Sequence, residues 1–517
     1  MSPAALLRRI LVAAGLAGSL ASAAPTRLPN VLILYADDLG YGDLGCYHAE
    51  SRIPTPHLDR LAAAGLRFTD AHSSSGVCTP SRYALLTGRH HWRDFHGIVN
   101  AFGAPVFRPG QLTLPEMLRR RGYATAAIGK WHLGWDWEAL RRPGAQPRGD
   151  GGKAKAAGEW GPEAFDWTQR IPGGPLARGF DHYFGDDVIN FPPYCWIQDD
   201  RVVTAPDRPL DTGRFKPIKE GNWESRPGPM APGWDPYENL PTLTRRGVAY
   251  LRGRRGSDQP FFLYFAFPSP HAPIIPNDAF DGKSRAGAFG DFVHETDDSV
   301  GQLLRALDES GQADNTLVLF SADNGPERYA YARDERHGHW SSHPLRGLKR
   351  DLYEGGHRVP FLVRWPGVVR PGTVCDALVS QIDVMATLAG VTGYALPRDA
   401  AEDSHDLLPL FRGGTEPVRA AHVHNTNASG YAIRAGEWVL IRARDGYVSA
   451  RDRAWETRHG YPADDAAEVE LYNLREDLGQ RRNVAPAHPA KVAELTALLA
   501  QLRAQGHSAP RLAPPPR

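Results

Sequence analysis

The feature that most constrains this chain is the run Asn30–Tyr35, NVLILY, which breaks off at once into Ala36-Asp37-Asp38. A strand with one wet face alternates apolar and polar residues. This one does not, so it reads as a strand buried on both faces. Phe261–Phe267 (FFLYFAF) and Thr316–Ser321 (TLVLFS) read the same way, and Tyr123–Ile128 and Val359–Trp365 add further strands. Helical patterns fall between them: His57–Gly65, Thr113–Arg121, Ala288–Ser310 and Ile382–Ala389. In the second of these Thr113 is the cap, Pro115 sits in the first turn and Glu116 follows the cap by three residues. Such alternation predicts an α/β fold with a mixed, largely parallel central sheet and helices on both faces.

The stretches 135–179 and 204–241 are rich in Gly, Pro and Trp and read as long loops that rim a ligand site. Trp92, His91, Asp187, Trp196 and His182 are candidates to shape that rim, although the same residues suit loop packing. From about Glu416 the texture changes to short runs, Ala420–His424, Gly430–Arg434 and Trp438–Arg442, then a helix over Pro489–Gln505 and a Pro-rich tail. This predicts a small C-terminal antiparallel sheet with one helix. The expected boundaries are 1–24, 25–412 and 413–517.

Residues 1–24 have the form of a secretory signal: Arg8 and Arg9, an apolar run from Ile10 to Leu20, then Ala21-Ser22-Ala23. The expectation is export, to the periplasm or the medium, with no transmembrane segment in the mature chain. A net charge of +1 gives no case for nucleic acid or an anionic membrane as partner. The four cysteines, Cys46, Cys78, Cys195 and Cys375, are too few for a disulfide scaffold, and their lack of CxxC spacing argues against structural zinc.

Chemistry collects at the strand ends, where open α/β sheets bind ligands. Asp37-Asp38 follows the first strand and Asp323-Asn324 follows Thr316–Ser321. Each pair alone suits a turn or cap. Together they form an all-oxygen set, whose mutual repulsion points to calcium or magnesium rather than zinc. Cys78-Thr79-Pro80-Ser81-Arg82 opens a helix, with Pro80 in its first turn, so Cys78 lies where backbone amides favour an anion. In this composition CxPxR arises by chance about 0.03 times. Lys130 and His132 alternate in an extended segment after Tyr123–Ile128 and can face one side. His271 follows Phe261–Phe267, and Lys349 precedes Glu354-Gly355-Gly356-His357. Only 8 of the 60 basic residues are Lys, so two of them beside such motifs stand out. The pocket implied holds a divalent cation and a tetrahedral oxyanion.

The segments NVLILYADDLGYGDLG, CTPSRYALLTGRH, GYATAAIGKWHLG, PHAP, SADNG and LRGLKRDLYEGGHRVP, closing with Glu470-Leu471-Tyr472-Asn473-Leu474, resemble the type I sulfatases, the arylsulfatase A-like branch of the alkaline-phosphatase superfamily. The resemblance implies an alkaline-phosphatase-like fold and hydrolysis of sulfate esters, on a sulfated sugar or an aryl sulfate. It implies that Cys78 is oxidised to formylglycine by a formylglycine-generating enzyme. A serine would be left as a stable sulfate ester, whereas a geminal diol keeps a second hydroxyl whose deprotonation expels sulfate. By the same motifs Asp37, Asp38, Asp323, Asn324 and the modified residue 78 bind calcium. Arg82 and Lys130 hold the diol, His132 takes the releasing proton, and His271 and Lys349 grip the sulfate. His271, Lys349 or Asp323 assists the leaving oxygen. Two alternatives stay open at this stage: a phosphonate monoester or phosphodiester hydrolase with the same nucleophile, and an inactive binding protein on this fold.

Overall fold

A computed structural model describes residues 27–147, 160–443, 446, 449, 451–462 and 467–510. The signal reading at 1–24 and the end of the Pro-rich tail lie outside them. Among the described residues no helix is long and apolar enough to cross a membrane.

Four strands form the middle of the main sheet in the order Thr316–Ala322, Asn30–Ala36, Phe261–Ala266 and Ala124–Gly129, and all are parallel. Asn30–Ala36 is buried throughout, as its unbroken apolar sequence requires. Its neighbours align residue for residue, Leu34 with Phe320 on one side and with Phe265 on the other. Beyond Thr316–Ala322 the sheet turns antiparallel at Phe361–Arg364 and continues to Leu66–Phe68 and Thr373–Cys375. At the other edge His182–Gly185 runs parallel to Ala124–Gly129, followed by the short strands Ile197–Gln198 and Arg201–Val202. The sheet is therefore mixed and largely parallel at its centre.

Residue parity assigns the helices to faces. Ile33 and Leu319 meet Val384–Thr392. Phe265, out of phase with Ile33, meets the helix Asn239–Arg252 at Gly247, where a Cβ would stand 2.6 Å from the Phe265 ring and from Leu303. Only glycine lets that helix approach so closely. Leu303 belongs to the long helix Gly287–Glu309, which buries Val300, Leu303 and Leu307 on the same side.

The C-terminal sheet is antiparallel, Ala421–Asn427, Gly430–Ala435, Trp438–Arg442 and Val469–Asn473 in that order. Leu495, Leu499 and Leu502 of the helix Pro489–Ala504 pack on Val423, Ile433, Leu440 and Leu471. The fourth strand had no signal beyond the ELYNL motif, because its inward Glu470 breaks the apolar pattern. That carboxylate is buried and accepts hydrogen bonds from Tyr353 (2.8 Å) and Tyr472 (2.6 Å).

Candidate active site

Because the four central strands are parallel, the loops that follow them open on one edge of the sheet. Backbone bonds tie these loops in register: Asp37 donates to Ser269 O (3.0 Å), Asp323 to Ala36 O (3.1 Å) and Lys130 to Ala266 O (2.9 Å). Asp37, Asp38, Lys130, His271, Asp323 and Asn324 are thereby delivered to one place. Lys349 arrives on a later loop fixed by Lys349 N to Pro326 O (2.9 Å).

The helix Cys78–Thr87 enters the same cavity with every residue buried and Cys78 at its first position. Arg82, one turn on, donates to Asp323 Oδ2 at 2.7 and 3.0 Å. Lys130 Nζ lies 2.5 Å from Asp37 Oδ2, and Lys349 Nζ lies 2.7 Å from Asp38 Oδ1. His271 Nε2 is 3.7 Å from Asp38 Oδ2, and Asn324 Nδ2 donates to Asp38 Oδ1 at 2.7 Å. Three carboxylates thus face three fixed cations in a water-poor pocket, where removing one partner leaves a buried charge uncompensated and costs far more than on the surface.

Some donors in this network are unspent. Asp37 Oδ1 and Asn324 Oδ1 are buried without a hydrogen-bond partner. The ligand atoms of Asp37, Cys78 and Asp323 lie within 4.8 Å of one another, as do those of Asp37, Asp38 and His271. Oxygen donors with idle lone pairs fit a hard divalent cation.

Burial raises Asp38, but Lys349, His271 and Lys130 outweigh it and hold the carboxyl well below its ordinary value. Burial lowers Lys349, but Asp38 foremost holds it well above. Both groups are therefore charged at every working pH. Asp323 is pushed up to about 6 by burial and by Asp37, against Arg82. Burial pushes the Cys78 thiol up, Lys130 and Lys349 notwithstanding, so an unmodified cysteine here is a poor nucleophile. Burial, with Lys130 and Arg82 adding to it, drives His132 well below its usual value. Burial and Lys349 bring His271 down to about 4. Both imidazoles are neutral near pH 7.

His132 corrects one expectation. The segment is not simply extended, because His132 has φ +55°. The turn is held from outside the motif: Asp187 Oδ1 accepts from His132 N (3.0 Å) and Asp187 O from Trp131 N (3.0 Å). Thr79 Oγ1 donates to His132 O at 2.8 Å and accepts from Val99 N at 3.1 Å. His132 Nε2 donates to Val99 O at 2.9 Å, which leaves Nδ1 with the lone pair, buried and unpartnered.

The structure thus brings Asp37, Asp38, Cys78, Arg82, Lys130, His132, His271, Asp323, Asn324 and Lys349 together. Of the rim candidates, Asp187 lies behind His132. Trp92 packs edge-on against Tyr431 of the C-terminal sheet, His91 bonds Asn425 (3.1 Å), Trp196 stacks on Phe184, and His182 is exposed beside Asp199. Sequence reasoning missed Glu327 and Arg350, which pair at 2.8 and 2.6 Å next to Lys349. Their nearness to SADNG and to Lys349 in the chain was the available signal.

A family model described as Sulfatase matches residues 29–394, and one described as N-sulphoglucosamine sulphohydrolase, C-terminal, matches 347–505. The chain is 32% identical to N-acetylgalactosamine-6-O-sulfatase of Bacteroides thetaiotaomicron, over 92% of this chain and 93% of that protein. It is 34% identical to human arylsulfatase A, over 96% of this chain and 90% of the other. A solved Bacteroides thetaiotaomicron protein of multiple-glycosaminoglycan metabolism superposes with a TM-score of 0.75 at 29% identity, covering 92% of this chain and all of that one.

Proposed function

We propose, from the premise that this chain belongs to the sulfatase family and hydrolyses sulfate esters, that it desulfates a saccharide using residue 78 as formylglycine. The observation that carries the reading is the position of Cys78, at a buried helix start within ligand distance of Asp37 and Asp323.

Asp37, Asp38, Asp323 and Asn324, beside residue 78, would hold calcium, which would supply positive charge toward a bound sulfate. As formylglycine, residue 78 would supply one hydroxyl to attack sulfur and a second whose deprotonation would let sulfate go. This chain's own groups do the rest. Lys130 and Arg82 fix the side chain at 78 and meet charge as it develops. His132, neutral with a free Nδ1, takes the proton for release. Lys349 and His271 hold the sulfate, and one of them or Asp323 serves the leaving oxygen.

The saccharide reading is supported by the relatives, several of which are named for sulfated sugars. Their names give the phosphonate and phosphodiester alternative no support. Export with removal of 1–24, maturation by a formylglycine-generating enzyme, and a division into 25–412 and 413–517 belong to the same proposal.

The test is sulfate release from a sulfated N-acetylgalactosamine oligosaccharide and from 4-nitrocatechol sulfate, with mass spectrometry of the peptide containing residue 78. The expected peptide carries an aldehyde, and Cys78→Ala lowers kcat at least about 10⁴-fold. An active enzyme whose residue 78 is still a thiol overturns the mechanism. Faster turnover of bis(4-nitrophenyl) phosphate overturns the substrate class.

A further inference from the structure

A second buried polar cluster lies behind the loop that leads into Cys78, and the proposed reaction makes no use of it. His72 stands on the short strand Ala71–His72, His357 closes the short helix Glu354–His357, and His424 stands on the strand Ala421–Asn427 of the C-terminal sheet. The three are at most 3% exposed. Two backbone contacts tie the cluster to the nucleophile loop: Ser73 N donates to His357 O at 2.8 Å, and a ring nitrogen of His422 donates to Ser73 O at 3.2 Å.

Hydrogen bonds settle which ring nitrogens carry protons. His72 Nε2 lies 2.8 Å from Asp70 Oδ1 and His357 Nε2 lies 3.4 Å from Leu352 O. A carboxylate and a carbonyl can only accept, so both Nε2 atoms are N–H donors. With both rings neutral, each keeps its lone pair on Nδ1. Those two Nδ1 atoms are 2.9 Å apart. Two lone pairs face to face in a buried site repel, so a positive species belongs between them.

Further donors surround the gap. Glu354 Oε1 is buried without a partner, and the ligand atoms of His72, Glu354 and His357 lie within 4.8 Å of one another. The His424 ring stacks on His357 with centroids 3.6 Å apart, and neither of its nitrogens makes a well-formed hydrogen bond. Asp70, which orients His72, is itself held by Arg358 (3.4 Å) and Arg434 (3.1 Å). A ligating imidazole whose other N–H is given to a carboxylate is the usual outer shell of a zinc site.

We propose that His72, His357 and Glu354 bind a zinc ion through two nitrogens and one oxygen. Two imidazoles and a carboxylate, closed from solvent, suit zinc, and the absence of cysteine spacing has no bearing on a histidine-built site. The ion would sit beneath residues 73–77, with the C-terminal sheet held against it by the His424–His357 stack. The competing occupant is a shared proton.

The inference stands apart from the sulfatase reading, and so does its test. The full chain, produced in zinc-supplemented medium and purified without chelator, is assayed by elemental analysis and by zinc K-edge absorption. The expected result is one zinc per chain ligated by two imidazoles, with an anomalous peak between His72 and His357. His357→Ala should bring zinc below one tenth per chain, and Asp70→Asn should weaken it 10–100-fold in competition with a chromophoric chelator. If the variants do not fold, the wild-type spectrum and anomalous map decide alone. Less than one tenth zinc per chain in folded, supplemented wild type, or zinc located elsewhere, overturns the proposal in favour of the shared proton.

Discussion

The two buried clusters of this protein solve the same problem with different atoms. Around Cys78, oxygen donors and cations are fixed as opposite charges, Lys130 on Asp37, Lys349 on Asp38 and Arg82 on Asp323. Around His357, burial disfavours charge on that imidazole, and Arg358 and Arg434 hold the carboxylates of Asp70 and Glu354. The first arrangement is built to meet charge that appears during a reaction; the second holds still. The difference separates catalysis from stability, and it can be broken by experiment.

The largest effect is expected in the oxygen cluster. Lys130→Ala should lower kcat/KM on 4-nitrocatechol sulfate by about 10³, or about 4 kcal/mol of transition-state stabilisation. His424→Ala should leave the rate per folded molecule within about threefold of wild type. Equal losses in initial-rate assays would erase the distinction. Next comes stability. Glu354→Gln strips the buried Arg358 of its nearer carboxylate and should cost about 3 kcal/mol in urea unfolding, with the rate per folded molecule little changed.

Acid should separate the oxygen cluster from the histidines packed under the C-terminal sheet. Burial pushes His90 and His91 down to about 3. The unfolded chain takes up these protons near pH 6.5 and the native state does not, so stability falls as pH drops from about 6.5 toward 3, by up to about 1.4 kcal/mol per pH unit for each ring. Asp38, held below its ordinary value, loses its contribution only below about pH 4. His91→Gln should flatten the slope between pH 6 and 4 by about one proton in urea titrations. The smallest effect is one of positioning. Asp187→Ala removes the acceptor for His132 N and should lower kcat about tenfold, while Asp187→Asn, which keeps an oxygen there, should restore most of it.

What the sequence disclosed follows from distance along the chain. Asp37, Asp38, Asp323 and Asn324 sit directly after apolar strands, so a reader who finds the strands finds these oxygen donors. His72, His357 and His424 lie on three separate elements with no shared spacing, and only the folded chain makes them neighbours. Trp92 and His91 misled for a related reason: they lie close behind Cys78 in the chain but pack under the C-terminal sheet. The Val469–Asn473 strand stayed hidden because a paired buried glutamate looks like a surface residue until its partners are known. The left-handed turn at His132 is imposed by Asp187, fifty-five positions away.

Only 3% of Cys78 is reachable from outside, at the foot of a helix buried from end to end. On the proposed formylglycine chemistry, a maturation enzyme would have to take that segment as an extended strip, which the finished protein does not offer. Oxidation of residue 78 would then race against folding, and the race would be run once. A molecule that folded first would be locked out of activity, so on that proposal changes that quicken folding should lower the yield of active enzyme even as they improve its robustness.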